Sequence, residues 1–136
     1  MTYLRSFVAG FFSTLIFHQG LLALLSFMSI TSRHAYSMNP TEPFGIPSSI
    51  SAAIFGGLWG IVIWQFVKKT QGRLQLVRSV IYMAISPTLV AFAIVQPLKG
   101  TEFKAANIPI ALLINGALGL GLWLFMNLKL YKKSTL

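Results

Sequence analysis

The chain has 136 residues, of which 55% are apolar and only 10% charged, with a mean hydropathy of +0.72. A domain this small has too high a surface-to-volume ratio to hide that much apolar surface from water, which excludes a soluble globular protein. The net charge of +9 sits in short caps at the ends of apolar runs, with no basic stripe or stacking motif, which argues against a nucleic-acid partner.

Four stretches carry no Lys, Arg, Asp or Glu: residues 6–32, 43–67, 79–98 and 105–128, with 27, 25, 20 and 24 residues. About 20 helical residues cross a hydrocarbon core, so each stretch is long enough to cross once and too short to cross twice. The runs are continuous rather than alternating, which excludes a barrel. The expected fold is all-α: a single integral membrane domain over 1–136, built as a bundle of four transmembrane helices. The first run is much longer than the roughly 7–15 apolar residues of a signal peptide, so it is read as a retained helix.

In helix one, Ser6, Gly10 and Thr14 recur at four-residue intervals, and the same row reaches His18, with Gln19 beside it near the middle of the run. Helices in lipid associate through small residues, so this row is expected to face protein. The connection at 31–47 is the only long one, and its Pro40, Pro43, Gly45 and Pro47 predict a rigid, extended loop, because proline pre-sets φ and extends the residue before it. Pro47 is placed to open helix two and Pro109 helix four. Helix two collects Ser49, Ala52, Ala53, Gly56, Gly57 and Gly60 on one face; Gly56 and Gly60 form a GxxxG pair, which serves packing within the chain or between two copies. Pro87 is expected to kink helix three. Helix four offers Gly116 and Gly119 for close packing.

Orientation follows the distribution of Lys and Arg about the spans. Arg5, Lys68, Lys69, Arg73, Arg78, Lys129, Lys132 and Lys133 fall on one side; Arg33, Lys99 and Lys104 fall on the other, with Glu42 and Glu102. Both termini are therefore expected in the cytoplasm. Trp64, Trp123 and Tyr131 would anchor the cytoplasmic interface and Tyr36 the outer one. The Lys68, Lys69, Arg73 and Arg78 cluster reads as topology-setting contact with anionic lipid headgroups, or as a dedicated site for an anionic lipid or ligand.

The two halves resemble each other. Arg5-Ser6-Phe7-Val8 is answered by Arg78-Ser79-Val80-Ile81, Ser13-Thr14-Leu15 by Ser86-Pro87-Thr88-Leu89, Thr41-Glu42 by Thr101-Glu102, and Ile46-Pro47 by Ile108-Pro109; a glycine-rich helix then follows in each half. The expected organisation is an internal repeat, 5–67 and 78–131, giving two similar helical hairpins of the same orientation.

Ionisable side chains at membrane depth are costly, so His18 is the leading polar candidate, with Gln19 and Asn115. Three roles stay open for it: a hydrogen bond to a neighbouring helix, with Asn115 as one possible partner; a step in a proton or solute path; or a haem or metal ligand. The last lacks a second ligand, because His34 belongs to the outer loop, and no cofactor or metal is expected. With no cysteine, thiolate metal sites and thiol catalysis are excluded. No carboxylate lies in any run, and Ser37, His34 and Glu42 lack any spacing motif for nucleophilic catalysis, so the chain is read as no enzyme.

Phe7-Val8-Ala9-Gly10 through Phe17-His18-Gln19-Gly20, with Pro43-Phe44-Gly45-Ile46-Pro47 and Gly56-Gly57-Leu58-Trp59-Gly60, resembles a family of uncharacterised small integral membrane proteins of Gram-negative bacteria. That resemblance covers the first half, extends to the rest by hydropathy, and implies the inner membrane. Arg5, Gly10 and Thr14 also resemble the opening of GtrA-type four-helix proteins, although the Asn-Arg-rich segment of that family is missing after helix two. The expected function is a small accessory or scaffold subunit that packs with itself or with a larger membrane complex. The alternative is a small oligomeric transporter, channel or flippase.

The basic asymmetry predicts that a cysteine replacing Ser37 reacts with an impermeant thiol reagent on intact cells, whereas one replacing Ser134 reacts only after lysis. The reverse pattern contradicts the orientation.

Overall fold

The computed structural model describes residues 2–102 and 104–128. Four helices are long and apolar enough to cross a bilayer: α1 (Thr2–Phe27), α2 (Ser48–Val67), α3 (Gly72–Lys99) and α4 (Asn107–Asn127). The tail residues Lys129, Tyr131, Lys132 and Lys133, and with them the end of the second repeat, lie outside the described residues. α1 packs against both α2 and α4, and α3 against α4, while α2 and α3 touch less. One end of the bundle holds the short α2–α3 turn with Lys68 and Lys69, and is called here the basic end; the long connection 28–47 closes the other.

The packing is backbone on backbone. A side chain at Gly60 would meet the Ser6 carbonyl oxygen at 2.5 Å, and one at Gly57 the Phe7 ring at 2.6 Å; at Gly10 and Gly56 it would overlap the facing helix outright, striking the Gly56 carbonyl and the Thr14 hydroxyl. α4 approaches its neighbours as closely, with Gly119 over the Ser79 carbonyl and Gly121 over the Ser13 side chain. Gly116 differs, since its added carbon would find ordinary contact with Val80 and Ala84 at 3.6 and 3.7 Å. Leu58, on the far side of α2 from this seam, is exposed. Close approach of this kind lets dispersion and polar contacts hold helices together where lipid removes the hydrophobic drive. Two hydroxyls cross the seams: Ser13 donates to the Leu118 carbonyl and Ser79 to the Gly119 carbonyl, both at 2.7 Å. Ala9, Ile63, Trp64, Val67, Met83, Leu118, Leu122 and Met126 fill the core beside them.

Several expectations are corrected. Trp64 is buried in that core rather than anchoring an interface. The long connection is not extended throughout; it folds back, with β1 (Pro40–Thr41) and β2 (Ile46–Pro47) paired antiparallel, Thr41 opposite Ile46. The first amides of α2 find loop acceptors there: Ser48 N–H donates to Asn39 O and Ser49 N–H to Ser37 O, while both serine hydroxyls also donate to Ser37 O. Helix starts leave amides without intrahelical partners, and this loop supplies them. Pro47 does precede the first residue of α2, and Pro109 sits in the first turn of α4.

Both odd-numbered helices contain one wide π turn, Thr14–His18 in α1 and Ala91–Val95 in α3. The second follows Pro87, whose missing N–H already weakens the local ladder. Beyond it α3 packs mainly against itself. At the basic end, Gln75 is buried and binds three elements together. Its amide donates to Val67 O at 3.2 Å and Thr70 O at 2.7 Å, and its oxygen accepts from Asn127 Nδ2 at 3.0 Å. The last turn of α2, the start of α3 and the end of α4 are thereby held at one point.

Candidate functional site

The wide turn in α1 decides where the polar residues point. Each π turn inserts one residue into the helical register, so the buried row Ser6, Gly10, Thr14 continues at Gln19 and not at His18. Gln19 is 6% exposed, and Leu22 and Leu25 follow it into the interior; His18 is only half-buried. His18 also stands five residues past Ser13, where α1 crosses α4, which puts it about 7 Å toward the long-loop end of that crossing at 1.5 Å of rise per residue. The expectation that His18 extends the packing row is therefore corrected.

The same turn leaves a carbonyl over. Gln19 N–H donates to Thr14 O and Ile16 O and passes over Leu15. The Leu15 carbonyl instead accepts the Tyr36 hydroxyl at 2.6 Å. Tyr36 comes from the long connection, and its own N–H donates to Gln19 Oε1 at 2.9 Å. Two bonds thus hold this residue, whose φ of +55° is the left-handed conformation that non-glycine residues seldom adopt. Ala35, its neighbour, packs on Leu22, Leu25 and Ile114. Tyr36 accordingly serves as a latch and does not sit as a free interfacial anchor.

Gln19 Nε2 lies 3.2 Å from His18 Nδ1. A backbone N–H can only donate, so Tyr36 fixes the amide oxygen of Gln19 toward itself and the NH₂ toward His18. The Nδ1 of His18 is then the acceptor, and a neutral ring carries its proton on Nε2.

Asn115 does not join this group. Its Nδ2 donates to Thr88 Oγ1 at 2.9 Å, and the Thr88 hydroxyl in turn donates to Ala84 O at 2.6 Å. Thr14 likewise bonds back to Gly10 O at 2.8 Å. The polar candidates therefore separate into two places, His18 with Gln19 beneath the long connection and Asn115 with Thr88 between α3 and α4. No group of three His, Cys, Asp or Glu side chains comes together among the described residues. Of the basic cluster, Lys68, Lys69 and Arg73 are exposed and Arg78 is half-buried; Lys68 Nζ donates to Gln65 Oε1 at 2.7 Å.

Tyr36 as a latch and Gln75 as a staple were invisible in the sequence. An isolated Tyr in a loop and a Gln in a cationic segment carry no spacing signal. Helical periodicity also assumes a uniform turn, which is why it selected His18 over Gln19. No protein-family model, curated protein or solved structure matches this chain.

The latch predicts an order of sensitivity. Gln19→Ala and Tyr36→Phe each remove one of its bonds and are expected to lower stability in detergent by about 0.6–1.7 kcal/mol. Each is also expected to speed thiol labelling of a cysteine placed at Ser37. His18→Asn keeps both bonds and should do less on both counts. A larger effect from His18→Asn than from Gln19→Ala contradicts the latch.

Proposed function

We propose that the chain is a small, non-enzymatic accessory or scaffold subunit of the bacterial inner membrane, with both termini in the cytoplasm. On this reading two similar hairpins form a compact four-helix unit that packs with itself or with a larger membrane complex. The inner-membrane location rests on the family resemblance, and the orientation on the eight-to-three basic asymmetry.

The hairpin repeat draws support from matched contacts. Gly60 lies over the Ser6 carbonyl as Gly119 lies over the Ser79 carbonyl. Thr14 and Thr88 both bond the carbonyl four residues back. Thr14 then faces Gly56 where Thr88 faces Asn115. The spatial register pairs Gly60 with Gly119 and Gly56 with Asn115.

The observation that carries the scaffold reading is uneven burial. In the most apolar window of α3, 22% of residues are buried, against 39% in each of the other three helices. Beyond Val90, α3 presents Ile94 and Val95 outward, and the side-chain oxygen of Gln96 is shielded without a hydrogen-bond partner. An oxygen left unpaired at such a place costs more in hydrocarbon than in water. The centre of the unit is filled by backbone contact, so a solute path on the transporter reading would have to form between chains.

A photo-crosslinking residue at Ile94, compared with one at the equally exposed Ile16 of α1 (52% and 54% exposed), tests this in native membranes. The scaffold reading predicts a discrete protein adduct, either a second copy or one larger subunit, from Ile94 and not from Ile16. Lipid adducts alone at both positions contradict it.

A further inference from the structure

Between α2 and α3, just inside the basic end, lies a groove of about 230 Å³ lined by Val62, Ile63, Phe66, Tyr82 and Ser86. Nearer that end, Gln75 ties the last turn of α2 and the following turn to the start of α3. Ile63 forms a buried floor, while Val62, Phe66 and Tyr82 are exposed along the sides. The volume falls below the roughly 300–1,000 Å³ of sites that enclose a compact ligand, and the groove is open along its length. Its shape suits a chain rather than a folded molecule.

The chemistry changes in order along the groove. Arg78, Tyr82 and Ser86 recur at four-residue intervals and so share one face of α3, spaced about 6 Å apart along the axis. Val62 and Phe66 do the same on α2, and Lys68 and Lys69 follow beyond the buried Val67. The groove itself is lined by apolar side chains with the Tyr82 and Ser86 hydroxyls, and Arg78, Lys68 and Lys69 lie toward the basic end of the two helices that form it. Both carboxylate side chains of the protein, Glu42 and Glu102, belong to the connections at the opposite end, so this cluster has no acidic neighbour of its own. Further, the Tyr82 and Ser86 hydroxyls make no hydrogen bond among the described residues, although Ser6, Thr14 and Thr88 all bond back to the carbonyl four residues earlier. Two donors thus stand open where water is scarce.

We infer that this groove is a binding site for one anionic phospholipid. The phosphate lies against Arg78 and Lys69 at the mouth, the Tyr82 hydroxyl donates to an ester oxygen below it, and one acyl chain runs along Val62 and Phe66 over Ile63. Ser86 is small enough to leave that chain its room. The charge complementarity selects an anionic lipid over a zwitterionic one, since a Lys or Arg near anionic headgroups contributes about 1 kcal/mol, or about fivefold in affinity. The site stands apart from the long-loop half of α3 on which the scaffold reading depends.

The test uses the purified full chain in mild detergent, offered equal amounts of phosphatidylglycerol and phosphatidylcholine with matched acyl chains, and read by native mass spectrometry. The expected result is one phosphatidylglycerol retained per chain, favoured about fivefold or more over phosphatidylcholine. Ser86→Phe fills the groove and abolishes retention, whereas Ile85→Phe, on the neighbouring exposed face, leaves it intact. Arg78→Gln lowers the preference about fivefold without filling the groove, and decides the matter alone if Ser86→Phe does not fold. Equal retention of the two lipids, retention unaffected by Ser86→Phe, or a preference unchanged by Arg78→Gln overturns the proposal. So does a lipid-free dimer that Ser86→Phe dissociates, which would make a second copy the occupant.

Discussion

Everything else in this bundle depends on how closely α1 approaches its two neighbours. Lipid chains are as apolar as leucine, so burying leucine between helices gains little there; contact distance decides instead. At Gly10, Gly56 and Gly60 the facing backbones are separated by less than a side chain would require. That proximity brings main-chain carbonyls of one helix against Cα atoms of the next. On the other face of α1, Ser13 can reach the Leu118 carbonyl because Gly121 leaves room for it. α1 is thus held on both sides, and α4 carries the same mode of contact on to α3 through Gly119 and Ser79.

A helix gripped so tightly at one level must accommodate what lies beyond. α1 does so with a wide turn that begins at Thr14, the last residue of the tight seam. The extra residue rotates the following segment, brings Gln19 and Leu22 inward, and frees Leu15 O for Tyr36. The long connection is therefore ordered by a defect in the helix it follows. That order passes along the chain, since the same connection presents Ser37 O and Asn39 O to the first amides of α2. Gln19, Tyr36, Ser37 and Asn39 form one structural unit with the start of α2, and His18 hydrogen-bonds to it through Gln19.

What was legible in the sequence followed from quantities that do not depend on neighbours. The length of uncharged runs gave the four helices, and the four-residue spacing of Ser6, Gly10 and Thr14, with the glycines of α2, gave their contact face. Matching Arg-Ser and Thr-Glu landmarks suggested corresponding halves. Spacing does not carry across the wide turn, because periodicity presumes a constant residue count per turn; a uniform helix puts His18 on the packing row, where Gln19 is the buried residue. Nor could it rank glycines. Gly116 and Gly119 look alike in sequence, yet only Gly119 lies against a backbone. Trp64 was read by the habit of tryptophan at interfaces, whereas its position four residues after Gly60 puts it on the inward face.

The chain has no native cysteine, so paired cysteines measure the helix register directly. Disulfides form between β-carbons about 3.5–4.5 Å apart. Ala84 and a β-carbon at Gly116 would stand 3.7 Å apart, and Thr14 and one at Gly56 3.0 Å apart, close enough to bond after a slight separation. Oxidation in native membranes, read by mass spectrometry of linked peptides, should give rapid intrachain bonds for Ala84→Cys with Gly116→Cys and for Thr14→Cys with Gly56→Cys. Thr14→Cys with Phe55→Cys should give none, since Phe55 faces outward. Equal bonding in all three pairs, or bonds only between separate chains, would contradict the close seam from which the rest of the structure follows.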